Sequence, residues 1–204
     1  KDIDNLKKIL PKFKCKGIVY EDVGVYNLVL ELNLDLEMIF YQNHFATNVK
    51  SINFWLDRVD SVFVSNEITY EEIKKIVDNA KKSVVLHLYG YNQVMYSRRL
   101  LLSNWSEEFS ILKKNTNVIE DKSTHIKFRA IENEYGTVMY SENIFNGSRL
   151  LDLNNVKFFY VNSMMISHEN LMNFLCGKSE KLSKNEDYGF LDKETIYKLK
   201  ERKK

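Results

Sequence analysis

Glu67 follows the apolar run Ser61 to Val64 and comes just before Thr69, a residue type that caps helices. A carboxylate between a strand and a helix can act as a general base or pair with an arginine. The competing reading is an ordinary helix-start acid favoured by the helix dipole. Arg98 and Arg99 close the run Tyr89-Gly90-Tyr91-Asn92-Gln93-Val94-Met95-Tyr96-Ser97. They put two planar, permanently charged donors next to each other. Adjacent residues on one helical turn point in different directions, so one of the pair reaches a site and the other faces solvent or an ion pair. Arg98 is assigned to the site, where it would bind a carboxylate or stabilise developing negative charge. Ser97 has the hydroxyl of a nucleophile, but local spacing puts no base beside it, and a hydroxyl at a helix start is more often a cap. His44 and His87, with Asp22 or Glu67, have the donor types of a metal site. No His-Glu-x-x-His run is present, and lone histidines beside apolar strands are generally structural, so no metal is assigned.

These residues need elements that bring them to one place. Short apolar runs alternate with helical patterns, as in β/α units around a parallel sheet. Strands are expected at Ile18 to Tyr20, Met38 to Tyr41, Ser61 to Val64, Ser83 to Leu88 and Lys157 to Val161. Helices are expected at Asp2 to Leu10, Tyr26 to Leu32, Val49 to Leu56, Tyr70 to Ala80 and His168 to Cys176. The fourth strand is expected to end at Leu88, with Tyr89-Gly90 bending the chain toward the two arginines. In β/α proteins function sits at the carboxyl ends of the strands. Catalytic Glu67 and Arg98, with Asp22, Asn43, His44, His87, Tyr89, Met95, Ser97 and Arg99 as substrate-binding residues, all fall at or after those ends. Lys127 to Ile131 and Thr137 to Tyr140 break the rhythm as an antiparallel hairpin turning at Asn133 to Gly136. Gly177 to Tyr188 is read as a loop and the tail from Glu194 as a basic helix, giving a domain over 1–176 and a loop and tail over 177–204.

Composition excludes several classes. Hydrophobic residues make up 44% of the 204, enough for a substantial core. The 30 basic and 28 acidic residues nearly balance at +2, unlike a dedicated nucleic-acid binder. Two cysteines, Cys15 and Cys176, make neither a disulfide framework nor a zinc or iron–sulfur ligand set, and Cys176 reads as a core residue at a helix end. No apolar run is long enough to span a bilayer, and a cytoplasmic location is expected. No phosphate-binding glycine loop of the Walker or Rossmann kind occurs.

Taken in order, Glu21 to Leu28, Val64 to Thr69, Tyr89-Gly90 with Met95-Tyr96-Ser97-Arg98-Arg99, Leu102-Ser103-Asn104, Glu134 to Thr137 and Gly189 to Lys198 resemble one family. It is the collagenase-like peptidases of unknown catalytic type, peptidase family U32, and the likeness is to the short, cysteine-poor branch of low-GC Gram-positive bacteria. The resemblance implies a TIM-like β/α barrel. About five parallel strands are too few to close one, so the barrel is expected to be incomplete on its amino-terminal side, with the hairpin as an insertion. It also implies hydrolysis of peptides or denatured protein at the carboxyl face. Many larger relatives carry four cysteines for an iron–sulfur cluster, and the matching region here, with Ser97, Arg98, Leu100 and Leu101, has none. The alternative is a non-proteolytic barrel that serves RNA modification by binding RNA or a partner protein, without a cluster. Any cofactor is left unassigned.

Overall fold

The computed structural model describes residues 2–42, 44–177 and 182–193. They form two compact units. The first holds the chain up to Leu88, Gly147–Tyr160 and the stretch from Gly189; the second holds Tyr89–Asn146 and Val161–Tyr188.

The first unit opens with helix α1 (Asp2–Ile9) and a 3-10 turn, Leu10–Lys12, that carries the only proline. Strand β1 (Gly17–Tyr20), helix α2 (Val23–Glu31), β2 (Glu37–Phe40), α3 (Val49–Leu56), β3 (Ser61–Val62) and α4 (Tyr70–Asn79) follow in alternation. β1, β2 and β3 pair in parallel, with Tyr20 beside Phe40 and Phe40 beside Val62. A parallel bridge from Phe63 to Val85 brings in the start of β4 (Val84–Ser97). β8 (Val156–Val161) lies on the other side of β4, and its approach is set by the Val84 N–H donating to Asn155 O. The inner strands β2, β3 and the start of β4 are near-continuous apolar runs because they are covered on both faces, whereas β1 and β8 expose Val19 and Phe158. Ile52 and Leu56 of α3 and Ile73, Ile76 and Val77 of α4 recur at helical spacing and are fully buried with Val62, Val84 and Leu86. Each such aliphatic side chain contributes about 1.5–3 kcal/mol by burial.

Helix starts are set by side-chain caps. Asp22 Oδ1 accepts from Gly24 N–H at 2.6 Å, and Asn48 accepts from Ser51 N–H at 3.0 Å. Thr69 and Glu72 form the reciprocal capping box expected of a strong α4 start. The returning segment is fastened to the same helix, with Tyr70 N–H donating to Leu191 O and Arg149 paired with Asp192.

The second unit is built on the far half of β4. Helix α5 (Leu101–Glu108) follows, then β5 (Thr116–Glu120), β6 (Lys127–Asn133) and β7 (Gly136–Asn146). The order β5-β6-β7-β4 is antiparallel throughout, and the short β9 (Glu186–Asp187) adds to β7. Helix α6 (His168–Leu175) covers a cluster of Tyr89, Tyr91, Tyr140 and Ile144 through Leu171 and Phe174. Tyr89 and Phe174 stack with centroids 3.9 Å apart.

Four expectations need correction. The fourth strand does not end at Leu88: it runs on to Ser97, with Tyr89 and Gly90 inside it. Gly90 supplies no turn. At φ +133° it leaves room where a Cβ would sit 2.5 Å from Asn162 O, so the glycine serves close approach. Helix α2 starts at Val23, earlier than expected, because Asp22 caps it. Cys176 is exposed at the C-cap of α6, past Leu171 and Phe174, the helix residues that meet the core. The α/β class holds, with parallel and antiparallel sheets, but no closed barrel forms among the described residues. The helix expected from Glu194 lies outside the described residues.

Candidate active site

The carboxyl ends of β2 and β3 are held against each other by backbone. Beyond Phe40 the chain leaves the sheet, and Ala46 O accepts the Ser65 N–H at 3.0 Å. Past β3, Ser65 Oγ accepts the Glu67 N–H at 3.2 Å, and the Thr69 capping box fixes the chain two residues later. Glu67 is therefore clamped on both sides, which sets where its carboxylate points. His44 Nδ1 lies 3.1 Å from each of the two Glu67 oxygens, and both side chains are about a third exposed. A carboxylate only accepts, so Nδ1 is a protonated nitrogen, and in the neutral ring Nε2 is the one with the lone pair. That is the base-and-orienter half of a triad.

The next residue repeats the theme. The Asn66 amide nitrogen lies 2.8 Å from His87 Nδ1 near the end of the first-unit half of β4. Asn66 and Glu67 thus each engage a histidine from a different strand end. The His87 ring lies 5.4 Å from that of Tyr160, which in turn meets Phe63 at 5.5 Å. Burial holds the Tyr160 hydroxyl above the ordinary phenol range. Phe63 also meets Tyr41 edge-on at 4.7 Å, over the buried pair Ile39 and Val85. The His87 imidazole therefore stands beside an aromatic and aliphatic cluster, whereas His44 and Glu67 keep about a third of their side-chain surface in water.

A family model described as Peptidase family U32 matches residues 1–158, more than three quarters of the chain. The chain belongs to peptidase family U32. Neither the comparison with curated proteins nor that with solved structures gave a match. Among the described residues no helix is long and apolar enough to cross a membrane, and no group of three or more His, Cys, Asp or Glu is placed to hold a metal ion. All the candidate catalytic and substrate-binding residues named from the sequence lie within the U32 match, while the Gly189 to Lys198 segment lies beyond it.

Of those residues, the first unit of this U32 chain brings together His44, Glu67 and, one residue along, His87. Asp22 caps α2. Asn43 lies outside the described residues. Tyr89, Met95, Ser97, Arg98 and Arg99 belong to the second unit. There Tyr89 is fully buried and donates to Glu186 Oε1 at 2.7 Å. Burial, reinforced by that carboxylate, pushes its hydroxyl well above the ordinary phenol range. Met95 pairs with Met139 on β7. Ser97 is a strand residue whose Oγ accepts the Arg99 N–H at 3.1 Å, so the hydroxyl folds onto its own backbone instead of capping α5. Arg98 and Arg99 follow the end of β4, beside Gly136 of the hairpin turn.

Sequence reasoning gave no role to Asn66, which follows the third strand beside Glu67, and missed the aromatic Tyr160. It also missed Glu132 in the second unit, a charged residue in a hairpin and only 5% exposed. Its carboxylate receives the Leu102 N–H at 2.7 Å, the Ser103 N–H at 3.2 Å, the Ser103 hydroxyl and the Thr137 hydroxyl at 3.0 Å. Burial alone would raise its pKa, but these donors outweigh burial and hold it below the ordinary carboxylate range. Glu132 is thus the N-terminal cap of α5, supplied from another strand.

Proposed function

We propose that this U32 chain is a peptidase that hydrolyses peptides or denatured protein at the carboxyl edge of its parallel strands, with His44 as general base and Glu67 as the group that orients it. The parallel run β1-β2-β3-β4-β8 is read as part of a TIM-like barrel, and the location as cytoplasmic. The single observation behind this reading is the His44–Glu67 contact at the joined ends of β2 and β3, in a chain of a peptidase family. Among the described residues no hydrogen bond joins a hydroxyl or thiol to His44, and the nearby Ser65 is 1% exposed and already engaged with the Glu67 amide. Water is then the attacking group.

In this mechanism His44 Nε2 takes a proton from water as its oxygen bonds to the scissile carbonyl carbon. The carbonyl π electrons move to oxygen, giving a tetrahedral oxyanion. Glu67 holds the imidazole in the Nδ1–H tautomer and offsets the charge of the imidazolium. As the intermediate collapses, the C–N bond breaks and Nε2–H delivers the proton to the departing amine. Positioned acid–base groups of this kind contribute about 10²–10⁴-fold to rate.

The test is cleavage of gelatin and a mixed peptide library, with products read by mass spectrometry, for the wild type, His44→Gln and Glu67→Gln, each shown to be folded by circular dichroism. The expected result is a loss of about 10²-fold or more in kcat for both variants. Unchanged cleavage by two folded variants would remove His44 and Glu67 from the chemistry. No cleavage by folded wild type would sink the peptidase reading for these substrates and turn attention to salt-dependent RNA retention. Arg98→Ala, in the other unit, tests separately whether that arginine contributes to substrate binding.

A further inference from the structure

At the carboxyl ends of β1 and β2 lies a cavity of about 290 Å³ that the mechanism does not use. Its apolar walls are Phe40, Trp55 and Phe45 with the smaller Val23 and Ala46. Phe40 and Trp55 rings are packed at 4.0 Å, while Phe45 is 73% exposed. Glu21 and Gln42 supply the polar groups. Among the described residues neither makes a hydrogen bond or ion pair, and no lysine or arginine lines the cavity. Glu21 is thus a free carboxylate over aromatic faces, whereas its neighbour Asp22 is taken up by the α2 cap.

We propose that this cavity is a subsite for a cationic side chain of the peptide substrate, with arginine favoured over lysine. The volume falls at the small end of sites for whole ligands, about 300–1,000 Å³, and suits one side chain. An aliphatic occupant would strip water from Glu21 and Gln42 and give nothing in return. A guanidinium answers both features: it stacks on aromatic faces and presents a fork of donors to a carboxylate. Gln42 lies two residues before His44 in the chain and Phe45 directly after it, so the subsite shares its loop with the proposed base. Its role as a specificity pocket rests on the peptidase reading; its cation binding does not.

The experiment therefore has a binding arm and a cleavage arm. Nitrogen-labelled protein is titrated with Nα-acetyl-arginine amide and with its neutral isostere, Nα-acetyl-citrulline amide. The Trp55 indole N–H resonance is followed, assigned with Trp105→Phe. The arginine derivative is expected to bind at least about tenfold more tightly, in line with one hydrogen-bonded charge pair, and Glu21→Gln should erase that difference. Equal affinity for the two compounds, or no saturable binding of either, would overturn the proposal. In the cleavage arm, basic residues are expected at one fixed position from the scissile bond, with the preference lost in Glu21→Gln while peptides lacking them are still cut. Arginine-selective binding without any cleavage would uphold the cation site and refute the peptidase reading alone. Cleavage without basic preference or binding would refute the subsite alone.

Discussion

Replacing Glu132 tests how a buried carboxylate holds the second unit. Glu132→Ala removes the acceptor for two α5 backbone amides and two hydroxyls in a site with only 5% exposure. The hydroxyls can turn elsewhere, but the Leu102 and Ser103 amides cannot. Hydrogen bonds to a charged group contribute about 1.5–3 kcal/mol each, so losing the two amide bonds costs about 3–6 kcal/mol. Glu132→Gln keeps one oxygen acceptor and should cost about 1–2 kcal/mol. Trp105 lies in α5 and Trp55 in the first unit, so urea unfolding followed by fluorescence of single-tryptophan forms reads the units separately. With a urea slope of about 2 kcal/mol per molar, Glu132→Ala shifts the Trp105 midpoint down by about 1.5–3 M, with the Trp55 midpoint moving less. The pH dependence has a fixed sign. Because the folded carboxyl is held below its unfolded value, its stabilisation is complete above the ordinary carboxylate range and is lost as pH falls through the lowered folded value. The gap between wild type and Glu132→Gln should therefore be widest near neutrality and close in acid. A Trp105 midpoint within about 0.3 M of wild type for Glu132→Ala, or a gap that widens in acid, would refute this account.

Other substitutions probe the remaining anchors. Gly90→Ala forces a side chain into φ +133° and against Asn162 O; it should cost about 1–3 kcal/mol or more, measured on Trp105 unfolding. Thr69→Ala breaks the capping box of α4 and should cost about 1 kcal/mol, measured on the Trp55 transition. Tyr89→Phe removes a donor from Glu186, whose pKa burial raises but whose Asn146, Tyr89 and Ser183 partners bring below the ordinary value. In that variant the Glu186 carboxyl should titrate at higher pH by NMR, and the stability it confers should begin to fade at a higher pH as the solution is acidified.

Much of the first unit was legible because its signals are local. The Thr69 cap, the apolar strand runs and the 3.6-residue repeat in α4 each declare themselves within a dozen residues. The hairpin turn at Asn133 to Gly136 was legible for the same reason. What escaped depends on distant partners. Tyr89-Gly90 has the composition of a turn, but pairing with β7 and the approach of Asn162 keep it extended. β5 alternates exposed and half-buried positions without an apolar run to announce it. His44 and Glu67 were each singled out, yet the contact between them spans 23 residues, and spacing alone could not choose it over a metal site shared with Asp22. Glu132 looked like any solvated hairpin charge, because what makes it special is the helix start folded over it.

That helix start bears on the order in which the second unit assembles. The groups that satisfy the first amides of α5 lie about 30 residues later in the chain, on β6 and at Thr137. Leu100, at the position where a cap would normally sit, offers no side-chain acceptor. An eight-residue helix is too short to persist on its own in water. As the chain emerges, the 101–108 segment therefore has to wait as coil until the β6–β7 hairpin closes and presents its carboxylate. Formation of α5 is then a late, non-local event, and a fragment ending before Glu132 would lack the helix altogether.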